Sequence, residues 1–278
     1  MPVAAFGTLG NTAKDLLYGS ARGGKFVVGE KVLNVTSKTA DGVEFNVVAT
    51  GKEDKLDMQL KAAYAAQNYS LVATMMQSGK LGLASTYKEL VPGLNVTVSG
   101  TVPDVDSGKV AVVYTAIPHI HATAAATLTA APKVDVAATT GFGDVTAGGE
   151  ASYDTAKSAI TKWTVGVGYT KADYQAAVTL NDQQNVTALV AHKVTADTTL
   201  GAEAVRNLTE GNTTFAVGLT KAQSGGTITK LKLDNSGIIS VLYEQEMKAR
   251  TKLAVSGQFS ALDTSKPPKF GFGYNIAY

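Results

Sequence analysis

Apolar and polar residues alternate along most of this 278-residue chain, most sharply in residues 269–278. One side of an extended strand there carries Phe270, Phe272, Tyr274, Ile276 and Tyr278. The other side carries Lys269, Gly271, Gly273, Asn275 and Ala277. Since the side chains of a β-strand point alternately to its two faces, this period of two predicts a strand with one wholly apolar face. Such a face has to be covered, either by a protein core or by lipid.

The same alternation recurs between short turn signals. It is clear over residues 43–50, 55–64, 94–99, 162–169, 230–233 and 248–259. Turn-forming residues occur at 41–42, 92–93, 106–108, 181–182 and 234–237. Dividing the roughly 250 residues after the N-terminus by a repeat of about 13 residues predicts about nineteen strands. Residues 110–132 fit two strands around a turn better than a spanning helix, because Pro118 falls near their middle.

This pattern predicts an all-β protein, and we favour a transmembrane barrel. Each alternating segment is near the length that crosses a bilayer, about 9–11 residues. No helical pattern after residue 25 is available to cover the apolar faces. In lipid, so many strands must close on themselves, because an open edge leaves backbone groups without partners. A soluble double sheet would show the same alternation, so this alternative stays open from the pattern alone.

The N-terminus follows a different period. Leu9, Ala13, Leu16 and Leu17 recur at helical spacing, and Gly19, Gly23 and Gly24 follow. The spacing predicts a short amphipathic helix that ends at these glycines. We therefore divide the chain into residues 1–24, the helix with its glycine hinge, and residues 25–278, a single barrel domain. The apolar stripe of the helix could pack inside the barrel, which we favour, or lie on the membrane surface as an anchor.

Composition excludes several function classes. There is no Cys, which removes thiol catalysis and Cys-based zinc sites, and the net charge is only +2, too small for bulk nucleic-acid affinity. No phosphate-binding loop or nucleophile motif is present, so we expect neither an enzyme nor a bound cofactor. Residues 1–10 contain no Lys or Arg, and we expect no cleaved signal peptide.

Two histidines are the only candidates for a metal site. His119 and His121 are two residues apart and would share one face of a strand. No carboxylate lies within ten residues on either side, and the third histidine, His192, is distant in sequence. We therefore predict no metal.

Basic residues on the polar faces of the strands are the strongest functional signal. They are Lys55, Lys61, Lys162, Lys230, Lys232, Lys248, Arg250 and Lys252. In a soluble sandwich they would be ordinary solvated groups. In a barrel they would line a water-filled lumen and attract anions.

The chain resembles the mitochondrial porins, the voltage-dependent anion channels, over essentially its whole length. Residues 153–157 running on to 163–169 resemble the signature segment of that family, and residues 9–17 resemble its N-terminal helix. Residues 37–45 are similar to its first hairpin. The C-terminal pattern formed by Lys269, Gly271, Phe272, Tyr274 and Ile276 is similar to the sorting signal of mitochondrial outer-membrane barrels.

The resemblance implies a fold and a function. It implies nineteen strands, a count given for this family, with the first and last strands paired in parallel. It places the helix inside the pore, where Lys14 and Arg22 add positive charge. We further expect Gly23 and Gly24 to form a gating hinge, because they join the helix to the barrel. The implied function is a voltage-gated, weakly anion-selective diffusion channel of the mitochondrial outer membrane that passes small ions, ATP and ADP.

The resemblance also implies partners. Membrane lipid and anionic metabolites are expected, nucleic acid is not, and a homo-oligomer is left open. Nucleotide contacts would fall at Leu242, Tyr243, Ser256, Gly257, Gln258 and Ser260. Two other functions remain open at this point: a protein-import barrel of the same fold and a soluble ligand-binding β protein.

Overall fold

The structure is a computed structural model that describes residues 3–20, 24–263 and 265–278. Nineteen strands form one closed barrel. The strands are β1 (Glu30–Lys38), β2 (Val43–Lys52), β3 (Lys55–Ala65), β4 (Tyr69–Met76), β5 (Leu81–Val91), β6 (Leu94–Val102), β7 (Lys109–Tyr114), β8 (Ile120–Thr127), β9 (Lys133–Phe142), β10 (Val145–Asp154), β11 (Ala159–Thr170), β12 (Tyr174–Asn181), β13 (Asn185–Lys193), β14 (Thr198–Asn207), β15 (Thr213–Gln223), β16 (Thr227–Asp234), β17 (Ile238–Lys248), β18 (Thr251–Ser260) and β19 (Lys269–Ala277).

Sequence neighbours pair antiparallel around the barrel, and one parallel pair closes it. That pair joins β1 to β19, with Lys31 opposite Phe272 and Thr36 opposite Ala277. An odd number of strands requires one such parallel pair, because consecutive antiparallel strands alternate in direction. The structure therefore confirms the predicted closed barrel, its strand number and its parallel closure.

The N-terminal part forms short helical elements before the barrel begins. A 3-10 turn (Phe6–Thr8) is followed by the helix α1 (Asn11–Tyr18), which ends at Gly19 as the glycine predicts. Two two-residue strands, Gly19–Ser20 and Gly24–Lys25, then pair antiparallel. No helix in the described part of the chain is long and apolar enough to span a membrane.

The wall of the barrel has two chemically distinct faces. Residues paired across neighbouring strands point to the same face, so the register assigns every paired residue to one side. The outer side carries exposed large apolar residues such as Leu33, Leu60, Val165, Phe272 and Tyr274. The inner side carries polar groups and glycines and contacts the N-terminal elements. An apolar exterior and a polar interior are typical of a transmembrane barrel.

Candidate functional site

The N-terminal segment, defined here as residues 3–20 and 24–27, lies along the inner wall and follows the strands in order. The 3-10 turn contacts β9 and β10, and α1 contacts β13 to β16. The short strand Gly24–Lys25 contacts β17. The backbone N–H of Val27 donates to Ser256 Oγ in β18 at 3.0 Å. We call β9–β19 the covered half of the barrel and β1–β8 the open half.

Apolar burial supplies much of this attachment. Leu9, Ala13, Leu16 and Leu17 are all buried, and Ala13 and Leu17 have no exposed surface. Their partners on the wall include Ala177, Leu189, Ala191 and Ala216. Burying a leucine side chain contributes about 1.5–3 kcal/mol. The structure thus confirms that the helix packs inside the barrel.

Inward-facing glycines allow this close approach. A Cβ atom added at Gly168 would lie 2.6 Å from Leu9 Cδ2, and one at Gly201 would lie 3.1 Å from Leu16 Cδ1. A Cβ at Gly218 would lie 2.7 Å from Leu16 Cδ2. These distances are shorter than carbon–carbon van der Waals contacts, which are about 3.5–4.0 Å. Larger residues at these positions would push the segment away from the wall.

Lys230 is a polar attachment at the end of the helix. Its side chain is only 2% exposed, and its Nζ donates to the backbone oxygens of Asp15 at 2.7 Å and Gly24 at 2.9 Å. A buried ammonium is costly unless it is hydrogen-bonded, and the C-terminal end of a helix attracts cations. One lysine therefore holds both the helix and the chain that returns to the wall.

Tyr18 makes a second polar attachment. Its hydroxyl donates to the Glu203 carboxylate, and Lys232 Nζ lies 4.1 Å from the centre of its ring. Burial, together with the neighbouring Glu203 carboxylate, raises the pKa of the Tyr18 hydroxyl. The hydroxyl therefore remains protonated, and able to donate, at neutral pH.

The structure separates the lysines that sequence analysis grouped together. Lys55, Lys61 and Lys162 face the lumen and are exposed, and none of them takes part in an ion pair among the described residues. Lys230, Lys232 and Lys252 also face inward, but the first two hold the N-terminal segment. Lys252 pairs with the buried Glu244 at 3.2 Å. These last three lysines are therefore engaged in contacts within the protein, and their contribution to anion selectivity remains a prediction.

The placement of Lys248 and Arg250 on one strand with Lys252 was wrong. Lys248 is the last residue of β17 and, across a bulge, is paired with Thr251. Arg250 lies in the turn that follows, with φ +65°. The chain therefore reverses direction within residues 248–259, which alternate in sequence as if they formed one strand. Lys248 and Arg250 lie at this reversal, at a rim of the barrel.

Four further predicted residues belong to the N-terminal part of the sequence, and the structure describes two of them, Lys14 and Gly24. Lys14 lies on α1 and is partly exposed. Arg22 and Gly23 lie outside the described residues. Gly24 has φ +78°, and a Cβ there would lie 2.9 Å from Leu242 Cδ2. Its oxygen also accepts from Lys230, so Gly24 is held at a fixed place on the wall.

The register reveals lumen charges that the sequence patterns missed. The inward-facing lysines that it assigns are Lys38, Lys52, Lys55, Lys61, Lys109, Lys133, Lys162, Lys193, Lys230, Lys232, Lys252 and Lys269. The inward-facing carboxylates are Glu30, Glu44, Asp57, Asp135, Glu150, Asp154, Glu203, Asp234, Glu244 and Glu246. The lysines are slightly more numerous. Several were missed because their strands alternate less clearly.

Comparison with known proteins agrees with this architecture. The family model described as eukaryotic porin matches residues 3–273. The chain belongs to the eukaryotic porin family. It is 30% identical over 271 residues to mitochondrial outer membrane protein porin 4 of Arabidopsis thaliana, with 96% of each chain covered. It is 28% identical to porin 5 of Oryza sativa subsp. japonica, with 96% of this chain and 95% of the relative covered.

Solved structures support the fold of this porin. A mutant of Rh. blastica porin aligns with a TM-score of 0.53 at 11% identity, covering 90% of this chain and 96% of that one. Another mutant of that porin gives a TM-score of 0.52 at 10% identity, covering 81% of this chain and 92% of that one. Together with the curated relatives, these findings identify a pore-forming β-barrel of the mitochondrial outer membrane.

The six residues implied for nucleotide contact do not form one site in this porin. Four of them face inward, namely Leu242, Ser256, Gln258 and Ser260. The other two, Tyr243 and Gly257, face outward. Leu242 and Ser256 have no exposed surface. They are covered by the N-terminal segment at Gly24 and Val27, so a solute in the lumen does not reach them in this arrangement.

The residues of the C-terminal sorting pattern all lie on the closing strand β19. Lys269 and Gly271 face inward, whereas Phe272, Tyr274 and Ile276 face outward toward lipid. A Cβ at Gly271 would coincide with the backbone oxygen of Val27, so only glycine fits there. A role in sorting remains a prediction.

The two histidines do not share one face of a strand. His119 lies in the turn before β8 with φ +65°, and its ring centroid is 6.5 Å from that of Phe142. His121 faces the lumen. Within residues 3–20, 24–263 and 265–278, no group of three His, Cys, Asp or Glu side chains is placed to hold a metal ion.

Proposed function

We propose that this porin is a voltage-gated, weakly anion-selective diffusion channel that passes small ions and metabolites such as ATP and ADP. The observation that carries the proposal is a set of exposed lumen lysines that take part in no ion pair among the described residues: Lys38, Lys55, Lys61, Lys162, Lys193 and Lys269. A lumen with a small excess of positive charge raises the local concentration of anions. Because four of the twelve inward-facing lysines are paired with carboxylates and further carboxylates also face the lumen, the preference should be weak.

The ion pairs reduce the number of lumen lysines that can attract anions. Lys52 pairs with Glu30 at 3.7 Å, and Lys109 pairs with Asp135 at 3.4 Å. Such pairs are electrically neutral at a distance and attract a passing anion weakly. Lys61 lies on β3 in the open half, away from the strands that the described N-terminal elements contact. It should therefore act on solutes more strongly than Lys230.

Only two of the six residues implied for nucleotide contact are accessible from the lumen. Gln258 and Ser260 face the lumen and are not fully buried, so we retain them as candidate contacts. Tyr243 and Gly257 face outward and are not candidate contacts for a solute in the lumen. Phosphate groups of ATP or ADP would be attracted first by the exposed lysines of the open half.

The voltage response should involve the N-terminal segment. It carries charges at Lys14, Asp15 and Lys25, and it occupies part of the lumen. A membrane potential acts on such charges, at about 2.3 kcal/mol per elementary charge moved across 100 mV. We propose that closure rearranges this segment on the wall and that the contacts of Lys230 and Tyr18 oppose the rearrangement.

The selectivity is tested by the reversal potential of the reconstituted protein in a planar bilayer under a KCl gradient. We expect a modest preference for chloride. Replacing Lys55, Lys61 and Lys162 by Gln should shift the reversal potential toward cations. The matched control replaces three outward-facing cations, Lys31, Arg206 and Lys221, by Gln. A cation preference of the unmodified channel, or equal shifts in both triple variants, would refute the proposal.

A further inference from the structure

A groove lies on the outer surface where β1 and β19 close the barrel. Its volume is about 530 Å³, and its lining is almost entirely apolar, including Leu33, Leu253, Phe272 and Tyr274. Ala49 and Gly51 are also in the lining, and their small size leaves room between the larger side chains. All these residues are assigned to the outer face by the strand register. The groove therefore opens toward lipid.

One cation stands at an end of this groove. Lys31 lines the groove and is exposed. In the strand register it lies between two outward-facing residues, Phe272 on β19 and Gly51 on β2. It is the second residue of β1, close to the rim of the barrel. Lys31 takes part in none of the ion pairs among the described residues, and the adjacent Glu30 faces inward and pairs with Lys52. Its ammonium group is therefore available to an external anion.

The position of Lys31 suits a lipid headgroup. Lysine side chains near the end of a membrane segment extend their ammonium group to the interface and keep their methylene stem in the apolar layer. The apolar groove continues from Lys31 along β1 to Leu33. A ligand that matches both parts has a negatively charged head at the interface and a hydrocarbon chain below it.

A second copy of the chain matches this surface less well. Among all outward positions that the register assigns, none carries Asp or Glu, so another barrel wall offers Lys31 no carboxylate. A twofold contact between two copies of the groove would also bring two Lys31 side chains toward each other. Like charges placed together oppose association.

We propose that the closing groove binds one phospholipid with a net negative headgroup, whose phosphate contacts Lys31 and whose acyl chain lies between Leu33 and Tyr274. This site is independent of ion selectivity, because it lies on the opposite face of the wall. A zwitterionic phospholipid has the same chains but no net charge, so it should bind the groove more weakly.

The test is native mass spectrometry of the full-length protein released from micelles that contain phosphatidylglycerol or phosphatidylcholine. We expect one phosphatidylglycerol to be retained in preference to phosphatidylcholine. Lys31→Gln should lower the apparent affinity for phosphatidylglycerol about fivefold, the effect of one basic residue near an anionic surface. Arg206→Gln is the matched control, because Arg206 is exposed, faces outward one residue from its strand end and does not line the closing groove.

A second variant tests the groove separately from the charge. An added Cβ at Gly51 would lie 3.8 Å from its nearest atoms, so Gly51→Leu fits the wall and fills part of the groove. We expect it to reduce lipid retention while Lys31 is intact. The proposal is overturned if Lys31→Gln and Arg206→Gln lose lipid equally, if both lipids are retained equally, or if Gly51→Leu has no effect. It is also overturned if Lys31→Gln changes the amount of dimer and leaves lipid retention unchanged.

Discussion

The two halves of the barrel share one outer surface but differ on the inside. In the covered half, β9–β19, the inner wall includes fully buried apolar residues such as Leu189 and Leu242. Among the described residues of the open half, β1–β8, no side chain is fully buried. There the inner wall carries hydrogen-bonded polar groups, such as Thr86 and Thr97 at 2.9 Å, and free lysines. The barrel wall therefore has two functions: the covered half holds the N-terminal segment, and the open half faces the solutes.

Inward-facing glycines are more numerous in the covered half of the barrel than in the open half. The covered half places Gly148, Gly166, Gly168, Gly201 and Gly218 beneath or beside the N-terminal segment. In the open half, the inward glycine is Gly82, where an added Cβ would lie 3.7 Å from its nearest atom, in Thr74. The predictions below therefore alter matched positions in the two halves.

The largest effect is expected from enlarging a glycine of the covered half. Gly201→Val should push Leu16 away from the wall, because a Cβ there already meets Leu16 at 3.1 Å. Overpacking of this kind costs about 1–3 kcal/mol, which should speed thiol labelling of an Ala13→Cys background about tenfold or more. Ala13 is fully buried and the chain has no native Cys, so the labelling rate reports release of the helix.

The matched control is Gly82→Val in the open half, measured in the same Ala13→Cys background. Its labelling rate should stay at the parent value, because that position lies away from the segment. Equal acceleration by both variants would mean that the covered half has no special role in holding the helix.

An intermediate effect is expected when two lysines are compared. Lys230→Met removes two hydrogen bonds from a charged donor to the N-terminal segment, but it also removes the cost of burying the ammonium, so the net loss of docking free energy should be smaller than that of Gly201→Val. It should change the voltage at which the channel closes and leave the reversal potential nearly unchanged. Lys61→Met should do the opposite, since Lys61 is exposed and faces solutes. Single-channel recording of both variants provides the test, and identical behaviour of the two would remove the distinction between the halves.

The smallest effect is expected at Tyr18. Tyr18→Phe removes the hydrogen bond to Glu203 but keeps the contact of the ring with Lys232, so docking should weaken by only about 0.5–1.5 kcal/mol. The raised pKa of Tyr18 means that its neutral form is favoured in the docked segment. Its contribution should therefore be complete below about pH 10, the ordinary tyrosine pKa, and decline only as pH rises further through the raised pKa.

Thiol labelling in the Ala13→Cys background measures this contribution. The ratio of the labelling rates of Tyr18→Phe and the parent should stay constant between pH 7 and pH 9. A ratio that approaches one within that window would show that the tyrosine ionises at lower pH than its surroundings imply.

The sequence predicted the barrel well because alternation is a local property of each strand. Leu16 and Leu17 were likewise predictable, since helical spacing places both on one face. Lys61 and Lys230 both occupy polar faces, and no local pattern separates them. Their difference arises only when the N-terminal segment lies across the distant strand β16 and covers Lys230.

The turn at Arg250 shows a second limit. The reversal between β17 and β18 uses Ala249 and Arg250, with no Gly, Asn or Pro to mark it. Apolar alternation continues across the turn, so the sequence shows one strand where the chain forms a bulge and a hairpin. The cluster of inward glycines in residues 148–218 is a sequence feature that marks where the helix lies.

The central claim is that α1 lies on the covered half of the inner wall, and a disulfide measures this directly. The double variant Leu16→Cys with Gly201→Cys should cross-link rapidly under mild oxidation in the membrane, because a Cβ at residue 201 lies 3.5 Å from Leu16 Cγ. Leu16→Cys with Gly82→Cys places the second thiol on the inner wall of the open half and should stay reduced. A cross-link at residue 82 as fast as that at residue 201 would contradict the account.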